Sequence, residues 1–298
     1  MMHKSSLTFT AFVGLLSFGV QGQVNAAGVL DKIKDTKTIT IGYRESSVPF
    51  SYLGNDQQPI GYTIDLCKHV VNALAKSVAQ PSLNVKYIPV NSANRIPLLK
   101  NGTIDMECGG TSSSVERLKQ VSFSVATFAS RPRWLVKTSE GIQSVDDLKG
   151  KNVVVTQGSN AVPLAVEISK KDNQNLRIQQ AKDHAESMMM LSQGRASAFL
   201  EDDILLAAKK ADAPNPSDYT MLTGGYTVTY YGIMLPKDDS PFKKVVDDEL
   251  GNLMASGEFE AIYKKWFESA IPPNNINLNV PMSEQLRARV AHPSDEVQ

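Results

Sequence analysis

The residue types that could do chemistry are thinly spread here, and their spacing argues against most reactions. The histidines are His3, His69, His184 and His292, none placed beside another at metal-ligand spacing, so no metal site is expected. There is no GxSxG elbow, P-loop or GxGxxG fingerprint, and therefore no sign of an activated serine or of a nucleotide cofactor. No cofactor of any kind is expected. Carboxylates are abundant, but no spacing singles out an acid–base pair. Met188-Met189-Met190 offers three soft sulfurs, for which core filling is the ordinary use. More informative are polar residues near the ends of strand-like segments: the Arg44 loop, the Gly109–Ser114 loop, the Gly158 turn and Asp202.

The elements around these positions alternate between two periods. Thr38–Tyr43 alternates as a strand does, whereas Leu66, Cys67, Val70, Val71 and Leu74 form one helical stripe. Val85–Val90 reads as a strand and Ser92–Lys100 as a short helix stopped by Asn101-Gly102. Ile104, Met106 and Cys108 share a strand face. After about residue 130 a second series begins. Ser144–Leu148 is a capped turn, Val153–Val155 a buried strand, and Gly158–Asn160 a turn into a helix from Ala161. Arg177–Gln180, Ala185–Leu191, Ala196–Leu200 and Ile204–Lys210 continue as strand, helix, strand and helix. Tyr226–Leu235 is β-rich, Pro241–Phe267 helical with a break near Gly257, and the Asn- and Pro-rich Ile271–Gln298 is expected to wrap the surface. Alternating strands and helices imply parallel sheets covered by helices, and two series imply two α/β lobes. Ligands of open α/β sheets sit beyond the carboxyl ends of the strands, where the polar positions above fall.

Length and composition agree. The 298 residues suit about two domains. The 42% hydrophobic and 21% charged fractions exclude a disordered or collagenous chain. Lys+Arg and Asp+Glu balance at 31 each, so no global basic field would attract nucleic acid. The first 26 residues read as a secretory leader: Lys4, an uncharged apolar run from Leu7 to Val20, then Val24-Asn25-Ala26 as a cleavage site. That run is short for a membrane span of about 20 residues. Export gives the two cysteines, Cys67 and Cys108, an oxidising compartment. A structural disulfide is expected, the alternative being two separate buried thiols.

Two stretches then become specific. Ile39-Thr-Ile-Gly-Tyr-Arg-Glu-Ser-Ser-Val-Pro-Phe50 with Gly61-Tyr-Thr-Ile-Asp-Leu-Cys67, and Glu107-Cys-Gly-Gly-Thr-Ser-Ser-Ser-Val-Glu-Arg-Leu118, resemble the periplasmic solute-binding proteins for polar amino acids. Asn94–Asp105, Asp147–Val155, Ala181–His184, Glu201–Asp203 and Ile271–Asn275 extend the likeness over nearly all of the mature chain. The glutamate/aspartate-binding subgroup is the most similar. The resemblance implies the type II fold: two α/β lobes joined by two hinge crossings near residues 131 and 229, with lobe 1 over 27–130 and 230–298 and lobe 2 over 131–229. It implies a monomer in the periplasm that binds L-glutamate and/or L-aspartate between closing lobes and delivers it to a membrane ABC permease. Arg117 would hold the α-carboxylate, with amides near Ser159 and Asn160 sharing the task, and Asp202 the α-ammonium. Gly110 and Ser112 would also meet these α-groups. Arg44, Ser92, Arg95 and His184 would surround the side-chain carboxylate. Two positions depart from the subgroup: Gly110 stands in place of Ser and Asn160 in place of Thr.

Each residue also has an ordinary alternative. Arg44 and Arg95 would otherwise be solvated cations, and Arg117 a helix C-cap or a partner near Glu116. Asp202 and Ser92 would otherwise be helix caps, and His184 a loop residue. The rival function is an exported enzyme on the same fold, a dehydratase of a prephenate-like acid with Glu201 or Glu45 as general acid. Overall the chain is expected not to be an enzyme.

Overall fold

Period-two alternation sends Thr38–Tyr43 into a strand, and the chain around it builds the first of two sheets. The computed structural model describes residues 28–171, 173–224 and 226–297, so the leader expected over 1–26 lies outside it. Helix α1 (Val29–Thr36) precedes β1 (Thr38–Tyr43). A small antiparallel sheet follows, of β2 (Ser46–Ser47), β3 (Ser51–Leu53) and β4 (Pro59–Ile60), within what the sequence suggested was partly loop. Next come α2 (Tyr62–Ser77), β5 (Asn84–Pro89), α3 (Arg95–Lys100) and β6 (Met106–Glu107). Then α4 (Val115–Leu118), β7 (Ser122–Phe123) and β8 (Phe128–Ser130) complete this part. The second sheet takes β9 (Pro132–Lys137), β10 (Asn152–Thr156) and, after α5 (Ala161–Lys171), β11 (Arg177–Ala181). Helix α6 (His184–Ser192), β12 (Ala198–Asp202), α7 (Asp203–Ala211) and β13 (Tyr219–Met221) follow. The chain returns through β14 (Thr229–Tyr231) and β15 (Met234–Leu235) to α8 (Ser240–Ser256) and α9 (Glu258–Phe267). A hairpin of β16 (Ala270–Ile271) and β17 (Ile276–Asn277) leads to α10 (Glu284–Ala291).

The sheets run β5-β1-β6-β15-β7 and β11-β10-β12-β9-β13. In each, the strand at the centre of the first series is parallel to both neighbours: β1 to β5 and β6, and β10 to β11 and β12. The expected parallel sheets are not parallel throughout, because β15 and β9 are antiparallel to their neighbours. Both follow a crossing from the other sheet. They arrive without the covering helix that makes consecutive strands parallel. At the crossings, β8 and β14 pair antiparallel, Ser130 opposite Thr229. The fold is therefore two mixed α/β lobes with two hinge crossings.

Both faces of the second sheet are covered, which is why Val153, Val154 and Val155 are all buried instead of alternating with polar residues. Val153 and Val155 pack with Trp134, Ala165 and Leu200, and Val154 packs on the opposite face with Leu135, Phe199 and Leu206. In the first lobe an aromatic group anchors the crossing strands. Phe128 lies 5.0 Å from Phe50 and 4.8 Å from Phe267, ring centre to ring centre. Tyr62 Oη donates to the Thr127 carbonyl. Cys67 on α2 and Cys108, just beyond β6, are disulfide-bonded.

Local departures have local causes. The helix expected from Ser92 begins at Arg95, because Asn91 Oδ1 accepts from the amides of Ala93 and Asn94 and holds a turn there. Gly61 (φ +135°) opens α2, and a Cβ there would lie 2.3 Å from the Phe50 carbonyl oxygen. The C-terminal segment does more than wrap the surface. Ser283 caps α10 through the Leu286 amide, and Leu286 is buried.

Candidate functional site

Eight of the nine residues singled out above line one cavity between the lobes: Ser92, Arg95, Gly110, Ser112, Arg117, Asn160, His184 and Asp202. Ser159, Glu201 and Leu205 complete its wall. The first lobe contributes the turn before α3, the first residue of α3 and the loop between β6 and α4. The second contributes the turn before α5, the first residue of α6 and the end of β12. Arg44, directly after β1, is not part of that lining. It lines the adjoining cleft with Glu45, Asn91, Asn94, Lys182 and Asp183, yet it is only 1% exposed.

The three arginines are held differently. Arg117 Nη1 donates to the Ser112 carbonyl (2.7 Å) and Oγ (3.1 Å), and Nη2 reaches across to the Gly158 carbonyl (3.0 Å). It is thus neither a helix cap nor a partner of Glu116. Arg95 Nη1 donates to Thr111 Oγ1, which donates to Glu107 Oε2, each at 2.6 Å. Arg95 Nε and both terminal nitrogens of Arg44 are buried and have no hydrogen-bond partner, as has Ser92 Oγ. Burial pushes Arg44 down to about 10 and Arg117 to about 9, with the charge of Arg95 the next cause for both.

The opposite lobe supplies negative charge. Burial lifts Glu201 to about 7, with Asp202 the next cause. It lifts Asp202 to about 6, against the hydrogen bond from Tyr231. Tyr231 Oη donates to Asp202 Oδ2, so the Asp202 side chain does not cap α7. His184 is buried as the first residue of α6, and burial followed by the nearby Arg44, Lys209 and Arg95 holds it well below its usual value.

Both departures from the subgroup have a setting. At Gly110 a Cβ would lie 3.0 Å from the Phe50 ring. Asn160 Nδ2 donates to Ser112 Oγ at 2.9 Å, an inter-lobe bond. With Arg117 on Gly158 and Tyr231 on Asp202, the lobes are closed on one another. The arrangement can grip a small zwitterion carrying extra negative charge: guanidiniums for carboxylates, a carboxylate for an ammonium.

Residues 39–269 match the bacterial extracellular solute-binding proteins, family 3. The chain belongs to that family. This family-3 protein is 46% identical to an L-glutamate/L-aspartate-binding protein of Pseudomonas aeruginosa over 292 residues, 98% of this chain and 97% of the relative. It is 43% identical to a glutamate/aspartate import solute-binding protein of Escherichia coli over 271 residues, 91% and 90% of the two chains. In structure it resembles an ancestral arginine-binding protein bound to arginine, with a TM-score of 0.70 and 26% identity over 78% of this chain and 98% of the other. The relatives are named as binding proteins, not enzymes.

Several residues of the family-3 site escaped the sequence reading. Glu107, Thr111 and Tyr231 are buried partners of Arg95 and Asp202. From sequence, Glu201 belongs to the Glu201–Asp203 motif and has a site role only as the general acid of the rival enzyme. Its signal was its place beside Asp202 at the end of a buried strand. Of the three consecutive methionines, Met190 is buried, Met188 packs beside it and Met189 is exposed. Among the described residues no group of His, Cys, Asp and Glu could hold a metal ion.

Proposed function

We propose that this protein binds L-glutamate, L-aspartate or both between its lobes and delivers the ligand to a membrane ABC permease. The observation that carries the reading is the enclosure of three guanidiniums, with three of their nitrogens unpartnered, in the same inter-lobe region as Asp202. A dicarboxylic amino acid brings two carboxylates and one ammonium, the complement of that set. Arg117 and Ser112, with the backbone at Gly110 and Asn160, take the α-carboxylate, and Asp202 takes the ammonium. Arg95, Ser92 and His184 take the side-chain carboxylate, with Arg44 adding positive charge from behind. The names of the relatives support the ligand class. Lobe 1 spans 27–130 and 230–298, and lobe 2 spans 131–229. The leader is cleaved after Ala26, and the mature monomer works in the periplasm.

Isothermal titration of the mature protein with the twenty amino acids tests the reading. Glutamate or aspartate should bind tightest, and tighter binding of a neutral or basic amino acid would overturn the acidic assignment. Glu201, buried with its proton affinity raised, is the one feature favouring the dehydratase reading. Incubation with prephenate separates the two, since a binding protein leaves it unchanged.

A further inference from the structure

The His184 ring is held by a directional chain of hydroxyls. Nδ1 lies 2.9 Å from Thr156 Oγ1, which lies 2.9 Å from Ser187 Oγ. Ser187 Oγ donates to the Asp183 carbonyl at 3.1 Å. A carbonyl only accepts, so the single proton of Ser187 is used there. The Ser187 oxygen must then accept from Thr156, and this uses the single proton of Thr156. Thr156 has only a lone pair left for the ring, so Nδ1 carries the hydrogen. Thr156 and Ser187 are fully buried, so these contacts are the ones that must satisfy them. Glu201 Oε2 is 3.5 Å from the same Nδ1, and as a carboxylate it favours the same proton position. The neutral ring, which lines the cavity, is left with a bare lone pair on Nε2, and a carboxylate meeting that lone pair would be repelled.

We propose that Thr156 and Ser187 lock His184 as its Nδ1–H tautomer, so that an acidic side chain binds with uptake of one proton at Nε2. The inference rests on the proposed acidic ligand and deepens it: Thr156 and Ser187 act as positioning residues behind the site. The charges facing the free ring are predominantly positive. Arg44 after β1, Arg95 on α3 and Lys209 on α7 oppose a protonated ring, whereas Glu201 at the end of β12 and Asp183 before α6 favour one. A ligand carboxylate tips that balance toward the imidazolium. The bound ring then holds its proton to higher pH than the free ring. Glutamate affinity is greatest below the free-ring value, falls by up to about tenfold per pH unit between the free-ring and bound-ring values, and levels off above the bound-ring value.

Nitrogen-15 NMR of histidine-labelled protein at pH 7.5 tests this directly, with the His184 ring assigned by His184→Gln. The free protein should show a protonated Nδ1 and an unprotonated Nε2, and saturating glutamate should protonate both. Thr156→Val should give mixed tautomers and reduce the proton uptake and the pH dependence of glutamate binding, with Thr156→Ser restoring both. An Nε2–H tautomer in the free wild type, or a neutral ring with glutamate bound, would overturn the proposal while leaving glutamate binding intact. Absence of any calorimetric glutamate binding would instead remove the ligand reading, and the proposal with it.

Discussion

Enclosing three guanidiniums is unfavourable in itself, since each loses water and each repels the others. The depressed proton affinities of Arg44 and Arg117 express that strain, and an anionic ligand relieves it. Under the proposed reading, Arg44→Ala should weaken glutamate far more than glutamine, because only glutamate brings the side-chain charge. Arg117→Ala should weaken both, because both carry the α-carboxylate and because Arg117 also ties Gly158 across the lobes. Loss of one such contact is worth about 2–5 kcal/mol. Calorimetric titration of wild type and both variants with the two ligands checks this, and an equal loss of both ligands in Arg44→Ala would place Arg44 elsewhere. Glu201 makes a separate prediction about stability. Its folded value is raised to about 7 from a usual 4.5, burial first and Asp202 second. A carboxyl raised in this way contributes stability that is fully present below the unfolded value and is lost as pH rises through the folded value. Glu201→Gln, with no charge to bury, should therefore be more stable than wild type above pH 7, by up to about 3 kcal/mol at about 1.4 kcal/mol per tenfold change in proton affinity. The advantage should vanish near pH 4. Denaturant unfolding of the ligand-free proteins at both ends of that range decides, and a gain that does not change with pH would mean that Glu201 ionisation is not its source.

At the scale of elements, the Cys67–Cys108 bond ties α2 to the end of β6 across a sequence separation of 41 residues. Closing a loop of that length restricts the unfolded chain by about 3–4 kcal/mol. Urea unfolding with and without reductant should show a loss of that order, and an unchanged midpoint after verified reduction would show that the bond adds little. The disulfide was legible from two cysteines and the expectation of an export leader, because only one pairing had to be considered. Most elements were legible from simple patterns: β1 and α2 each carry one clear period, β10 is a short unbroken apolar run, and α5 follows the Gly158–Asn160 turn. Helix α10 was hidden because the Asn- and Pro-rich run before it dominates the segment and only Leu286 in it is buried. The antiparallel placement of β9 and β15 was hidden because it depends on where the chain crosses between sheets. The site's loops could be placed at strand ends, but their partners could not. Tyr231 meets Asp202, and Thr156 meets His184, across separations of 29 and 28 residues that no local pattern records.

For the whole molecule, function depends on how the lobes meet, and one contact is backbone against backbone. Gly158 has φ of +76°, and a Cβ there would stand 2.6 Å from Ala93 Cα and from the Ser92 carbonyl oxygen, both on the other lobe. A left-handed conformation is unfavourable for alanine by about 1–2 kcal/mol, and that strain is present whether the lobes are open or closed. The clash exists only when they are closed, because only then does the Ser92–Ala93 turn lie against Gly158. The turn is backbone, pinned by Asn91, and cannot swing aside as a flexible side chain would. Gly158→Ala should therefore lower the melting temperature of the ligand-free protein slightly and weaken the ligand disproportionately, by tenfold or more, which is about 1.4 kcal/mol. Its binding groups are untouched, so the deficit would lie in closure itself. Small-angle scattering provides the independent readout. With saturating glutamate, the variant should keep a larger radius of gyration than wild type with glutamate, since Arg117 can no longer reach the Gly158 carbonyl and Asn160 can no longer reach Ser112. A variant that binds glutamate as tightly as wild type and compacts to the same radius would mean that the lobes close by another path, with Gly158 away from the contact that now excludes a side chain.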